Sequence, residues 1–226
     1  MTVQSLPPIV ASIFSLLAIM SLLLTFVILG SRWLNHYLFA FAAESWLIAG
    51  LSATVGAYAH FPELYLIAVL TIVFRGVLLP YLIWRIIKRQ GVDYEVHVIL
   101  RPSSSLVIGA LAVVFALVVA DRIGAQLSLA GTVAILALTV MLAMKLIGFL
   151  MLSLRHEAIS QVIGLLILEN GIFLGAQVLV PGMPMLLEIV ILFDLLVAVA
   201  CFGVLVRYLA SAVGTTSSYA LKRLVG

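Results

Sequence analysis

Residues 158–180 read AISQVIGLLILENGIFLGAQVLV. One charged residue, Glu169, stands in the middle of a run long enough to cross a bilayer as a helix. A charge at that depth costs several kcal/mol unless it meets a partner or water. The pattern recurs at Glu44, Arg75, Lys145 and Asp194, each deep in an apolar run. A chain that places five charges there is expected to move charge, or to polarise something that does.

Composition supports the same class. The chain is 65% hydrophobic and 9% charged, against roughly 25% charged in a soluble domain. The reading is an all-α, polytopic transmembrane bundle of about seven helices, with residues 1–226 forming a single membrane domain. The expected spans are about 6–30, 35–59, 62–87, 104–121, 127–151, 158–180 and 184–208, the fourth being the shortest. The first apolar run lacks a preceding basic residue and exceeds a signal h-region, so it reads as a retained helix. Cys201 is the sole cysteine, which excludes an intrachain disulfide. The ligand sets of zinc and iron–sulfur sites are missing as well. No cofactor, metal or catalytic residue is expected on this chain, and the net charge of +3 does not indicate nucleic acid.

Orientation follows from the basic residues. Two of the twelve, Arg75 and Lys145, lie within spans. Nine of the others fall on one side, among them Arg32, Arg85, Arg155 and Arg207; Arg122 stands alone on the other. By the positive-inside rule the N-terminus is outside and the C-terminus cytoplasmic. The loop from Lys88 to Ser104 is then cytoplasmic. Its Tyr94-Glu95-Val96-His97-Val98 alternates weakly, as a short docking strand or a solvated loop would.

Tight hairpins fix relative depth, because each helical residue rises about 1.5 Å. Glu169 and Asp194 lie twelve residues from Pro181 and Gly182 respectively, so they are level. Two carboxylates at one depth cannot both ionise cheaply, and one should hold a proton. Lys145 differs from Glu169 in level by about three residues, roughly 4–5 Å. Lys145, Glu169 and Asp194 therefore form a candidate proton relay, with His156 at its cytoplasmic mouth. Glu188 is a possible outer exit. Glu44 and Arg75 lie sixteen and fifteen residues from His60 and are expected to pair, as structural glue or as a coupling element. Pro80 should kink the third span by freeing the Gly76 carbonyl. Gly171 and Gly175 form a small-xxx-small face for helix packing.

The segment Gly164-Leu-Leu-Ile-Leu-Glu-Asn-Gly-Ile-Phe-Leu-Gly175 resembles the E component of hydrogenase-4, a membrane subunit of energy-converting [NiFe] hydrogenases and formate hydrogenlyases. Residues 127–208 also resemble the three-helix K subunit of complex I and the C subunit of multisubunit cation/proton antiporters. The shared features are Gly164-Leu165, Asn170, the acid Asp194 and the basic Arg207. The K subunit family carries a glutamate directly after Gly-Leu, where this chain has Leu166, and Glu169 lies one turn later. The resemblance implies a subunit of a complex that couples electron transfer to proton movement. It would sit in lipid, in a bacterial or archaeal cytoplasmic membrane, beside antiporter-type membrane subunits and a soluble hydrogenase or oxidoreductase arm. An accessory antiporter subunit and a structural spacer are the alternative readings.

Overall fold

The computed structural model describes residues 7–59, 62–90, 101–126, 132–155 and 158–179, with Ile189 and Phe193. These residues are helical apart from short connections, in which Trp33 and Arg155 each stand in an isolated β-bridge; no strand occurs among them, and they hold six helices long and apolar enough to cross a membrane. The seventh expected span, 184–208, lies outside the described residues, as does the weakly alternating stretch Tyr94–Val98.

The first helix, α1 (Pro8–Gly30), starts where Pro8 loses nothing, because a first-turn N–H has no helical acceptor. Its buried residues Val10, Phe14, Ala18, Ser21, Thr25 and Ile28 recur every three or four positions, one stripe of a helix. The opposite face is just as apolar but open: Ile9, Leu16, Leu23 and Val27 are exposed. Ser31 takes an extended conformation and its Oγ accepts from the Trp33 N–H at 3.2 Å. The chain then reverses into α2 (Leu34–Ala59).

The third span is composite. It begins as α3 (Glu63–Leu70), widens into a π-helix over Thr71–Leu78, and resumes as α4 (Leu79–Gln90). The disturbance expected at Pro80 is therefore taken up over the two turns before it, by a wider helix. Gly76 lies within the wide segment, and a Cβ there would overlap the Trp46 indole of α2. Glycine is required because the two helices approach so closely.

The fourth span, α5 (Pro102–Gln126), is longer than the expected 104–121. Its outer face, with Val107, Leu111, Val114, Phe115 and Val118, is exposed. The α6 (Thr132–Leu154) and α7 (Ala158–Leu179) helices form the tightest pair in the bundle. A Cβ on Gly148 would stand 2.7 Å from the Gly164 carbonyl oxygen, and one on Gly171 would stand 2.9 Å from Met144 Cβ. Gly175 packs against Met141 in the same way. The small-residue face of α7 is thus used inside the chain, against α6.

This packing predicts that Gly164→Val or Gly171→Val will separate α6 from α7. The expected loss is about 1–3 kcal/mol, typical of overpacking a closed contact. It is read as lower abundance in membranes and a lower melting temperature in detergent. Gly50→Ala, where the nearest atom would be 3.7 Å away, should leave both unchanged.

Candidate functional site: a buried polar seam

The bundle is apolar outside and carries a polar seam within an otherwise apolar core. Glu44, Ser45, Ser52, Thr71, Arg75, Asn170 and Gln177 are all fully buried, whereas the exposed positions are rich in large aliphatic and aromatic side chains. The seam forms where α2 meets α1, the π-helical segment and α7.

Hydroxyls on the seam mostly satisfy themselves. Ser45 donates to the Phe41 carbonyl at 2.9 Å and Ser52 to the Ile48 carbonyl at 3.1 Å, one turn back in each case. Amides join helices instead. Gln177 Nε2 on α7 donates to Ser52 Oγ on α2 at 2.7 Å. Two turns away, Arg75 Nη1 donates to Asn170 Oδ1 at 2.8 Å. The Arg75 guanidinium also lies over the Phe173 ring, 5.4 Å from its centroid, a cation–π contact strengthened where water is excluded.

Glu44 lies on the other side of the same amide. Thr25 Oγ1 donates to Glu44 Oε1 at 3.1 Å, and both Asn170 and Arg75 act on the carboxyl. An amide has an acceptor end and a donor end. Arg75 takes the acceptor end of Asn170, so the donor end is left for the carboxylate side. Glu44 and Arg75, expected to pair, thus both lie beside Asn170, and the hydrogen bond that the geometry defines is the one from Arg75 to the amide Oδ1. Sequence reading placed the two charges at one depth but gave Asn170 no part in joining them. Its spacing of seven from Gln177, two turns on one helix face, was an available signal.

The relay proposed around Glu169 is described in part. Lys145 and Glu169 are both half-buried. The α6–α7 contacts set Met144 against Gly171 and Gly148 against Leu168. That register brings Lys145 opposite Asn170–Gly171, within a helical turn of Glu169 in level, closer than the sequence arithmetic required. Asp194, His156 and Glu188 lie outside the described residues.

Arg155 differs from expectation. It was counted among the solvated basic residues that set topology, yet it is only 3% exposed. Its Nη2 donates to the Leu29 carbonyl at 2.6 Å and its guanidinium lies over the Tyr37 ring. Tyr37 in turn donates to the Ser31 carbonyl at 3.0 Å. A cation at a helix C-terminus meets the negative end of the helix dipole and an unpaired carbonyl, so Arg155 ties the end of α1 to the α6–α7 turn. Among the described residues, no group of three or more His, Cys, Asp or Glu side chains could hold a metal ion.

Comparison with known proteins places the chain in one family. It is 31% identical over 159 residues to the uncharacterized protein Rv0085 of Mycobacterium tuberculosis, an alignment covering 70% of each chain. The chain belongs to the family of that protein. No family model matches, and no solved structure matches.

The seam generates a direct prediction. Arg75→Ala removes the cation and leaves the Asn170 carbonyl oxygen buried without its donor, at a cost of about 1–3 kcal/mol for stranding a buried polar group. Membrane abundance and detergent melting temperature should fall accordingly. Glu44→Ala added to Arg75→Ala should recover part of the loss. Asn170→Leu alone should weaken both neighbours and act in the same direction as Arg75→Ala. Strict additivity of the Glu44 and Arg75 changes would mean that the two are not coupled.

Proposed function

We propose that this member of the Rv0085 family is a multi-pass subunit of a bacterial or archaeal cytoplasmic membrane, within a hydrogenase-4-like or complex-I-like assembly. In that assembly it contributes an intramembrane charged path for protons whose movement is coupled to electron transfer. The observation that carries this reading is the seam of Glu44, Asn170 and Arg75, held inside a bundle whose outer surface is apolar. Water-soluble folds put such groups outside; lipid as the surrounding solvent accounts for the inversion.

The resemblance of Gly164–Gly175 to the hydrogenase-4 E component supplies the assembly. That segment includes Asn170, which stands at the centre of the seam. In this reading Glu169, Lys145, Asp194 and His156 pass protons, with Glu188 near the outer exit. Arg75 serves in this reading as a fixed charge in the coupling element and not as a relay. Electrons travel in partner subunits: antiporter-type proteins in the membrane, and a soluble oxidoreductase arm. The N-terminus lies outside and the C-terminus in the cytoplasm.

One observation favours a structural spacer as the competing reading. Arg75 is anchored by Asn170 and Phe173, and such contacts also hold helices together without moving any proton. Function separates the two. In the relay reading Glu169→Gln keeps shape and removes titration. The complex then assembles at normal abundance while proton translocation falls by about two orders of magnitude relative to electron transfer, the low end of what a positioned acid–base group contributes. Glu169→Asp retains part of it. Wild-type coupling in Glu169→Gln at normal abundance leaves the spacer reading standing.

Topology is tested separately. In a Cys201→Ser background, Thr2→Cys should react with an impermeant thiol reagent from outside and Ser217→Cys only after the membrane is opened. Labelling of both from one side would refute an odd number of crossings.

A further inference from the structure

Four polar atoms on the seam have no hydrogen-bond partner among the described residues: Ser21 Oγ, Glu44 Oε2, Asn170 Nδ2 and Gln177 Oε1. Each belongs to a side chain with no exposed surface. A buried unsatisfied donor or acceptor costs about 1–3 kcal/mol. Four together in one seam call for a common cause, and bound water is the usual one.

Their placement is ordered. Ser21 is four residues before Thr25 on α1, so both lie on one face, and Thr25 bonds Glu44. The α1 and α2 helices form a hairpin, which puts Ser21 on the Ser52 side of Glu44. Asn170 acts on Glu44 and Gln177 bonds Ser52, so α2 and α7 run parallel along the seam. The four atoms therefore occupy the interval between the Glu44–Asn170 level and the Ser52–Gln177 level. That interval is about two helical turns, roughly 11 Å at 5.4 Å per turn. It contains two donors or donor–acceptors (Asn170 Nδ2, Ser21 Oγ) and two acceptors (Glu44 Oε2, Gln177 Oε1), a mixture that water can bridge and that ions of one sign would not match.

We propose that the α1–α2–α7 seam binds a short column of water between Glu44 and Gln177, and that Glu44 is a proton-exchanging site at the inner end of that column. The exchange is a simple transfer. Glu44 Oε2 accepts a proton from a hydronium ion of the column, leaving water, and later returns it to a water molecule; no electron moves. This assignment rests on the reading of the chain as a proton-path subunit and adds to it a site distinct from Glu169. Charged groups on the elements packed against α2 are Glu63 on α3, Arg75 on the π-helix, Arg85, Lys88 and Arg89 on α4, and Glu169 on α7; α1 has none. Arg75 is the one that acts on the Glu44 carboxyl. Its Nη1 is bonded to Asn170 Oδ1, and Glu44 Oε2 makes no hydrogen bond among the described residues.

The test uses the full chain purified from its native membranes with the subunits that accompany it, reconstituted in phosphatidylcholine vesicles. Infrared difference spectra between acid and neutral pH should contain a protonated carboxyl band that shifts in D2O. Glu44→Gln should remove that band, and Glu44→Asp should move it to the frequency of an aspartic acid, which keeps the assignment testable if the glutamine variant does not accumulate. Ser21→Ala combined with Gln177→Leu should leave the band but slow its hydrogen–deuterium exchange about tenfold, the effect of roughly 1.4 kcal/mol on a barrier. A full carboxyl band in Glu44→Gln, an unmoved band in Glu44→Asp, or unchanged exchange in the Ser21/Gln177 variant would each overturn the proposal. None of these spectra depends on which oxidoreductase accompanies the chain. The wider reading fails independently, if the purified complex contains no redox subunit.

Discussion

Two buried charges on different helices, Glu44 and Arg75, share a single amide between them. Neither can be left alone in an apolar interior, because an uncompensated charge there is worth more than most other contacts in the bundle. The elements that meet at this point are consequently constrained together. The centre of α2 must face the π-helical segment, α7 must present Asn170 between them, and α1 must offer the Thr25 hydroxyl to the remaining side of the carboxylate. Apolar side chains on the outer surface impose no such condition, since one aliphatic neighbour serves a lipid-facing helix as well as another.

Local departures from regular structure gather round this point. The π-helix over Thr71–Leu78 contains Arg75 and ends two residues before Pro80. Pro80 cannot donate to the Gly76 carbonyl and its ring crowds that position. A wider turn relieves the crowding and, in doing so, sets the direction in which Arg75 leaves its helix. Gly76 is the next residue, and Trp46 occupies the space its side chain would need. Trp46 is itself two residues from Glu44. Backbone irregularity and charge placement are therefore linked through α2, in keeping with the frequent occurrence of π segments at functional sites.

Much of this was legible in the sequence, and the reasons differ by element. Apolar runs bounded by Pro62, Arg101-Pro102 and Ser31-Arg32 gave the helices, since a bilayer-length run has few alternatives. Equal distance from a tight turn gave the common depth of Glu44 and Arg75. Azimuth was not legible, because helices apolar on all sides carry almost no periodic signal to say which face is inward. For that reason Asn170, Thr25, Ser52 and Gln177 passed as ordinary membrane polar residues until their partners were known. Arg155 was misassigned for a related cause: a loop arginine and an arginine folded back onto a helix end look alike in sequence, and only the Leu29 carbonyl and Tyr37 ring distinguish them. The fourth span was drawn short because Asp121 and Arg122 look like an end, yet both continue the helix to Gln126.

An amide placed between an acid and a guanidinium has a consequence for chemistry. A direct pair at about 4 Å gains on the order of 4 kcal/mol at an effective dielectric near 20, and doubling the separation halves that. Direct contact would clamp the carboxyl in its ionised form and spend its lone pairs on the guanidinium. With Asn170 beside both, Arg75 bonds a neutral acceptor and lies over the Phe173 ring, while Glu44 Oε2 makes no hydrogen bond among the described residues. A scaffold whose charges served only to hold helices together would gain more from the direct pair. An interposed amide costs a purely structural pair part of its attraction, a cost that the proposed proton path would accept.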